Sequence, residues 1–197
     1  GTDKLQVALN YSSVTQDLIV TGDVTTGKTS KTAVQDSLTG TRGQAVYNTE
    51  TSQLYVNYNG DNLITSLDYT IGINAGATAL TTVADGDLIW KITTGSGADT
   101  VTGNVGADII ATGAGIDTVF SGRGIDTVDL GASDSADDIY KLSTQELYSS
   151  ATTATSGSVA VDVVSEFEYG ANKDQVEISI TAIEALGGVT DLIDAEG

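Results

Sequence analysis

Several residue types that equip catalytic and metal sites are missing from this 197-residue chain, which has no Cys, His, Met or Pro. Without Cys, neither a disulfide nor a thiolate metal site is possible. Without His, the usual general base, the His-based catalytic triad and the His zinc site are excluded. We therefore expect a protein that is not an enzyme. Met is absent even at residue 1, as expected of a processed product or a part of something longer.

Basic residues are scarce, with 8 Lys and Arg against 27 Asp and Glu, which gives a net charge of -19 at pH 7. Nucleic acids and anionic membranes are bound through clustered cations, so neither is expected as a partner. No run approaches the roughly 18 apolar residues of a membrane span, so membrane insertion is not expected. A cationic partner would complement the charge, and a solvated acidic surface explains it equally well.

The segment Thr94–Asp129 divides into four consecutive blocks of nine residues: TGSGADTVT, GNVGADIIA, TGAGIDTVF and SGRGIDTVD. Every block has Gly at its fourth place, Asp at its sixth and an aliphatic residue at its eighth. If each block forms a turn and a three-residue strand, the eighth side chain points inward. If two blocks make one coil, Asp99 stacks above Asp117 and Asp108 above Asp126.

Stacked carboxylates repel one another unless a cation lies between them. Glycine permits turns with positive φ that aim carbonyl oxygens inward, and carboxylates with carbonyls give the shell of six or more oxygens that Ca²⁺ prefers. The predicted calcium ligands are Asp99, Asp108, Asp117 and Asp126 with the turn residues Gly95, Gly97, Gly106, Gly113, Gly115, Gly122 and Gly124. After Asp129 the register decays, and Asp134, Asp137 and Asp138 are candidates for an irregular terminal site.

The blocks resemble the RTX nonapeptide GGxGxDxUx, a calcium-binding parallel β-helix repeat. This resemblance implies a β-roll that folds when Ca²⁺ binds. The first consensus Gly is replaced by Thr94, Thr112 and Ser121, and the second by Asn104 in one block. Residues 162–167 and 173–179 resemble the closing element that follows such arrays in exported proteins, which implies a capping hairpin around Gly170. The acidic C-terminus resembles those of type I secretion substrates.

The flanking segments add further expectations. Alternating apolar and polar residues predict a β-hairpin over residues 44–58. The loop 57–62 has oxygens suited to a hard cation, and an ordinary Asn-Gly turn is the alternative. Trp90 stands where the Asp of a preceding block would lie, and we expect it to cap the open N-terminal end of the roll. We also expect a short helix or loop at residues 140–148 and a short C-terminal helix at residues 182–186.

The sequence thus predicts an all-β protein: an N-terminal β-sandwich-like region (1–88), a short parallel β-roll (89–140) and a capping, secretion-type segment (141–197). The expected function is that of a calcium-binding structural module of an exported bacterial surface protein. It would be extracellular, at the cell surface, and would self-assemble as a homo-oligomer or S-layer-like lattice when Ca²⁺ binds.

Two alternatives stay open. One is an accessory secretion domain of an RTX enzyme, whose catalytic motifs would lie upstream, since neither HExxH nor GxSxG occurs in this chain. The other is a ligand-binding module, such as that of an adhesin, for a cell-surface glycan or ice. Its outward threonines would be Thr100, Thr118 and Thr127.

Overall fold

Three-residue strands joined by six-residue turns carry the nine-residue period of the sequence into the fold. The structure, a computed structural model, describes residues 4–73, 83, 85–131, 135–142, 162–168 and 173–178. Among these residues β-strands dominate, and the one α-helix is α1 (Lys31–Gln35). The all-β prediction is confirmed. The strands are β1 (Leu5–Asn10), β2 (Ile19–Thr21), β3 (Val24–Lys28), β4 (Ala45–Asn48), β5 (Gln53–Val56), β6 (Tyr69–Gly72), β7 (Leu88–Thr93), β8 (Thr100–Thr102), β9 (Ile109–Ala111), β10 (Thr118–Phe120), β11 (Thr127–Asp129), β12 (Ile139–Leu142), β13 (Val163–Ser165) and β14 (Gln175–Ile178).

Two parallel sheets form a β-roll, with the strand orders β1-β7-β9-β11-β13 and β2-β8-β10-β12-β14. From β7 onward each successive strand lies in the other sheet, so one coil contains two strands and two turns. Thr118 therefore pairs with Thr100, and Thr127 pairs with Ile109, each two repeats earlier. The predicted β-roll is confirmed.

The roll begins much earlier in the chain than the repeats do. Strand β1 pairs with β7 in parallel over six residues, from Leu5 opposite Leu88 to Asn10 opposite Thr93. Strand β2 pairs with β8, with Val20 opposite Val101. Residues 5–21 thus supply a complete first coil, although they lack the Gly and Asp pattern of the repeats.

A third sheet is inserted between this first coil and the second. It has the order β3-β4-β5-β6, with β3 parallel to β4 and the other pairs antiparallel. The predicted hairpin is confirmed as β4 and β5. Helix α1 connects β3 to β4, begins after the N-cap Ser30 and buries Val34. Tyr47, Leu54 and Val56 of this sheet join the same hydrophobic core as the roll.

Two rows of inward side chains fill the roll. One runs through Leu9, Ile92, Ile110 and Val128, and the other through Val20, Val101 and Val119, all at most 1% exposed. These include every eighth-place aliphatic of the repeats. Burying a side chain of this size contributes about 1.5–3 kcal/mol. The rows therefore hold the two sheets together.

Trp90 is not an end cap, and that expectation was wrong. It lies in β7, is fully buried, and has Val7 of β1 beside it in the sheet. The first coil covers the edge that the indole was expected to cover. Gly22 lies against the indole so closely that a Cβ there would be 2.6 Å from the ring.

The expected capping hairpin is also wrong in its pairing. Strand β13 pairs in parallel with β11, and β14 pairs in parallel with β12, so the two lie in different sheets. They continue the alternation of the roll instead of turning back on each other. Residues 140–142, expected as helix or loop, belong to strand β12, where Tyr140 takes the inward place. Gly170 and the C-terminal helix at 182–186 lie outside the described residues.

Candidate calcium-binding ladders

The sixth-place aspartates form a vertical ladder along the turns that lead into β8, β10 and β12. The amide of Asp99 donates to Oδ1 of Asp117 at 2.8 Å, and the amide of Asp117 donates to Oδ1 of Asp138 at 2.8 Å. The amide of Asp138 donates to Oδ1 of Asp174 at 3.1 Å. At the N-terminal end, the amide of Leu18 donates to Oδ1 of Asp99 at 2.8 Å. Each carboxylate thus binds the backbone of the preceding coil.

A second ladder follows the opposite turns. The amide of Trp90 donates to Oδ1 of Asp108, that of Asp108 to Oδ1 of Asp126, and that of Asp126 to Oδ1 of Asp162, at 2.8–2.9 Å. The predicted stacking of Asp99 on Asp117 and of Asp108 on Asp126 is therefore present. Both ladders end in an apolar side chain at the N-terminal side, Leu18 in one and Trp90 in the other.

Three of these carboxylates each have one oxygen with no hydrogen-bond donor within 3.5 Å. Oδ2 of Asp99, Asp117 and Asp126 is fully buried and unpaired, and the residues are at most 1% exposed. Burial raises the pKa of Asp117 from 3.8 to about 7, and the pKa of Asp126 likewise to about 7. The amides of Asp99 and Asp108 and, less strongly, the hydroxyls of Thr112 and Ser121 lower these two pKa values. An unpaired buried carboxylate is costly, so each oxygen calls for a positive partner.

Asp108 is held differently from the other three. Its Oδ2 accepts a hydrogen bond from the amide of Asn104 at 2.7 Å, and the amide of Gly106 donates to Oδ1 of Asn104 at 2.6 Å. Burial raises the pKa of Asp108, and the amides of Asn104 and Trp90 oppose that shift. Asn104 replaces a consensus glycine. In this turn, unlike in the others, a backbone amide of the same block therefore binds the Oδ2 atom of the ladder aspartate.

The turns of successive coils stack too closely to admit side chains. A Cβ on Gly124, where φ is +142°, would lie 2.0 Å from the carbonyl oxygen of Gly106. A Cβ on Gly122, where φ is +97°, would lie 1.9 Å from that of Asn104. The same crowding by backbone of the preceding coil occurs at the other predicted site glycines, Gly95, Gly97, Gly106, Gly113 and Gly115. Glycine therefore brings layers of carbonyl oxygens beside the acidic ladders.

This arrangement fits calcium. Among the described residues no three carboxylates converge on one point, so carboxylates alone form no complete site. An ion beside a ladder would be held by the unpaired Oδ2 atoms, with turn carbonyls completing an oxygen shell. Ligation by each of the aspartates and glycines proposed above stays a prediction.

Sequence reasoning missed part of the ladders. Asp138, which was only one of several candidates, takes the ladder position, whereas the neighbouring Asp137 is half-buried beside it. Asp134 lies outside the described residues. Asp162 and Asp174 were not expected as ladder members. The available signal was an Asp two places before an apolar residue, as in the repeats: Asp138, Asp162 and Asp174 precede Tyr140, Val164 and Val176, which continue the register of the inward rows.

The two other candidate sites have different geometries. In the loop 57–62, Oδ1 of Asn57 accepts from the amide of Gly60, and Oδ1 of Asn59 accepts from that of Asp61. These contacts match the ordinary turn. Thr100 and Thr118 are neighbours in one sheet, but Thr127 lies in the other, so the three threonines do not form a single row.

Comparison with known families decides what the repeats are. Residues 93–128 match the family model of the RTX calcium-binding nonapeptide repeat, in four copies. This segment is an RTX repeat array. The RTX array carries the four sixth-place aspartates, whereas Asp138, Asp162 and Asp174 lie beyond it. No curated protein and no solved structure gave a match to the chain.

Two general properties are known for RTX repeats and the proteins that contain them. Such repeats bind calcium, and proteins that contain them are typically secreted. In the described part of the chain, no helix has the length and apolar character needed to cross a bilayer.

Proposed function

We propose that this chain is a calcium-ordered structural module of an exported bacterial surface protein. In this proposal Ca²⁺ enters between the coils of the RTX array, completes the roll and so produces the surfaces through which copies of the protein assemble, as in an S-layer. Its role is structural, not catalytic, and the absence of His and Cys from the sequence supports that.

The observation that supports the proposal best is the set of buried, unpaired Oδ2 atoms on Asp99, Asp117 and Asp126. They represent a cost to folding that a divalent cation removes. With a Kd in the range of roughly 10⁻⁴–10⁻³ M that extracellular calcium modules show, about 10 mM Ca²⁺ contributes about 1.4–2.7 kcal/mol per site. With several sites, this gain is comparable to the total stability of a small domain.

Self-assembly draws support from apolar side chains on the outside of the roll. Ile19, Ile116, Ile125 and Val163 are each more than half exposed. Exposed apolar surface of this kind favours protein contacts. The net charge of -19 opposes association of copies at low ionic strength. Divalent cations would reduce that repulsion, and assembly should therefore depend on Ca²⁺ in a way that monovalent salt does not reproduce.

The test is a calcium titration of the purified chain, followed by far-UV circular dichroism and by sedimentation velocity. We expect β-structure to increase with Ca²⁺, and sheets or large oligomers to form and then to dissolve when EDTA is added. Mg²⁺ at the same concentration serves as the control. Unchanged spectra from EDTA to about 10 mM Ca²⁺, which is at least ten times the expected Kd, would contradict the calcium-ordered module.

The second candidate is an accessory folding and secretion domain of an RTX enzyme, which the family match supports equally. It predicts the same rise in β-structure, but a chain that stays monomeric at every calcium concentration. A glycan-binding module is a third candidate, and the neighbouring threonines Thr100 and Thr118 support it only in part. Binding to a glycan array in the presence of Ca²⁺ would favour it.

A further inference from the structure

The side chain of Tyr140 reaches from one sheet of the roll to the turn that leads into the other. It takes the inward place of β12, opposite Val119 of β10, and is 3% exposed. Its hydroxyl donates to Oδ2 of Asp162 at 2.9 Å and lies 2.8 Å from Oγ of Ser121. A buried hydroxyl in an otherwise aliphatic row requires polar partners, and these two side chains supply them.

Asp162 therefore accepts hydrogen bonds from the protein at both of its carboxylate oxygens. Its Oδ1 accepts from the amide of Asp126 at 2.9 Å, and its Oδ2 accepts from the hydroxyl of Tyr140. Asp126, one coil earlier in the same ladder, has a buried Oδ2 with no donor within 3.5 Å. The carboxylate beyond the repeats is thus satisfied by the chain itself, whereas the one within them is not.

The other ladder ends in the same way with different residues. Oδ1 of Asp174 accepts from the amide of Asp138 at 3.1 Å, and Oδ2 accepts from the amide of Glu168 at 2.6 Å. The side chain of Glu168 forms an ion pair with Lys173, so the chain also supplies a cation next to Asp174 in the sequence. A buried carboxylate with hydrogen bonds at both oxygens does not carry the cost of an unpaired one.

We propose that the last coil, which contains β13 and β14, ends both ladders without calcium. In this proposal Asp162 and Asp174 position the two strands through their hydrogen bonds and are not calcium ligands. Tyr140 is a positioning residue, since it replaces the aliphatic side chain of a repeat and holds the carboxylate of Asp162. This inference rests on the proposed calcium binding by the RTX array and sets the C-terminal limit of that binding.

A donor within the chain differs from an ion in its dependence on concentration. The stabilisation that a bound ion contributes falls as the concentration of free Ca²⁺ falls, whereas the hydroxyl of Tyr140 is present at every concentration. The last coil therefore requires the preceding coil as a template but adds no calcium requirement of its own.

The first experiment compares Asp162→Asn with Asp126→Asn. Each asparagine keeps the oxygen that accepts an amide of the preceding coil and removes the charge. Calcium stoichiometry is measured by equilibrium dialysis with ⁴⁵Ca, and folding by circular dichroism in excess Ca²⁺. We expect Asp162→Asn to bind as many ions as the wild type and Asp126→Asn to bind fewer. One ion fewer in Asp162→Asn would overturn the proposal and leave the proposed function in place.

The second experiment compares Tyr140→Phe with Tyr55→Phe in saturating Ca²⁺. Both remove a hydroxyl from a buried tyrosine, but that of Tyr55 binds Oε1 of Gln53 in the third sheet, away from the ladders. Because a hydrogen bond to a charged group is the stronger kind, we expect Tyr140→Phe to raise the unfolded fraction at a fixed urea concentration about tenfold or more, and Tyr55→Phe to raise it less. Equal unfolded fractions for Tyr140→Phe and the wild type would overturn the proposal.

A double-mutant cycle separates the contact with Asp162 from simple packing of the ring. Tyr140→Phe should have a smaller effect in the Asp162→Asn protein than in the wild type, because the charged acceptor is already gone. An effect of the same size in both proteins would show that the hydroxyl does not act through Asp162 and would overturn its role.

A measurement on the unaltered chain keeps the test independent of variant folding. Crystals grown with CaCl₂ are analysed for anomalous density at a long X-ray wavelength. Calcium at Asp117 or Asp126, with none in contact with Asp162 or Asp174, supports the proposal. Calcium bound to Asp162 or Asp174 overturns it while leaving the proposed function in place. No calcium at any ladder overturns both.

Discussion

The amide nitrogen of Asp99 lies 2.8 Å from Oδ1 of Asp117, one full coil further along the roll. A single carboxylate therefore has two tasks. Oδ1 ties adjacent coils together through the backbone, and Oδ2 is left buried without a partner. A substitution that keeps the Oδ1 hydrogen bond but removes the charge should therefore weaken calcium binding more than it weakens the contact between coils.

The first prediction concerns Asp117. Asp117→Asn keeps the acceptor for the amide of Asp99 but loses the charge, so we expect the calcium concentration at the midpoint of folding to rise about tenfold, equivalent to about 1.4 kcal/mol. Asp117→Ala loses both tasks and should raise the midpoint further. Far-UV circular dichroism during calcium titration measures both. Equal midpoints for the wild type and Asp117→Ala would show that this carboxylate is not a ligand.

The second prediction concerns pH in the absence of calcium. Because burial raises the pKa of Asp117 and Asp126 from 3.8 to about 7, the folded state takes up more protons than the unfolded state between these values. The folded fraction in EDTA should therefore fall as the pH rises from about 4 to about 7. Circular dichroism across this range tests it. The double variant Asp117→Asn, Asp126→Asn should show a weaker dependence, and a folded fraction that rises with pH would contradict the assignment.

The third prediction concerns the stacked turns. Gly124→Ala places a Cβ 2.0 Å from the carbonyl of Gly106 and requires a positive φ that alanine rarely adopts. We expect it to destabilise the calcium-loaded roll by about 1–3 kcal/mol or more. Gly27→Ala is the matched control, because Gly27 also has a positive φ, of +79°, but no atom is within 4 Å of its Cβ position. Urea denaturation in excess Ca²⁺ compares the two, and equal midpoints would contradict the tight stacking.

The fourth prediction concerns the inward rows. Val119→Ala removes two methyl groups from a fully buried side chain and should cost about 2 kcal/mol of unfolding free energy in calcium. Val105→Ala makes the same change in a turn, where the side chain is 43% exposed, and should cost much less. Thermal unfolding in excess Ca²⁺ measures the difference. A larger loss at position 105 would argue against the packing of the roll.

The fifth prediction uses the single tryptophan as a reporter. Trp90 is fully buried, and its amide binds the carboxylate of Asp108 at the N-terminal end of one ladder. Its fluorescence emission should shift to shorter wavelength as Ca²⁺ orders the roll and return when EDTA is added. A spectrum that stays fixed while circular dichroism changes would mean that the first coils form independently of the ion.

The repeats could be interpreted from the sequence because their pattern recurs over short distances along the chain. Asp99, Asp117 and Val119 follow from a nine-residue period, and their stacking requires only that two periods make a coil. The first coil could not be predicted in this way. Val20 pairs with Val101 across 81 residues, and neither Leu18 nor Val20 carries a sign of that partner. Asp162 and Asp174 were missed because long connections break the period while the pairing persists.

The position of the third sheet in the chain bears on the order in which the coils of the roll form. Residues 5–21 and 88–93 are adjacent in space but are separated by the third sheet, so their pairing closes a long loop, which is the slow and entropically costly kind of contact. Leu18 and Trp90 take the ladder positions at this end, so it carries no ladder carboxylate, and every later coil adds to an edge already in place. The first coil thus acts as a template, and calcium-dependent coils should grow from it toward the C-terminus. An excised RTX array without residues 5–21 would lack this template, and we expect it to need more calcium to fold than the same repeats need here.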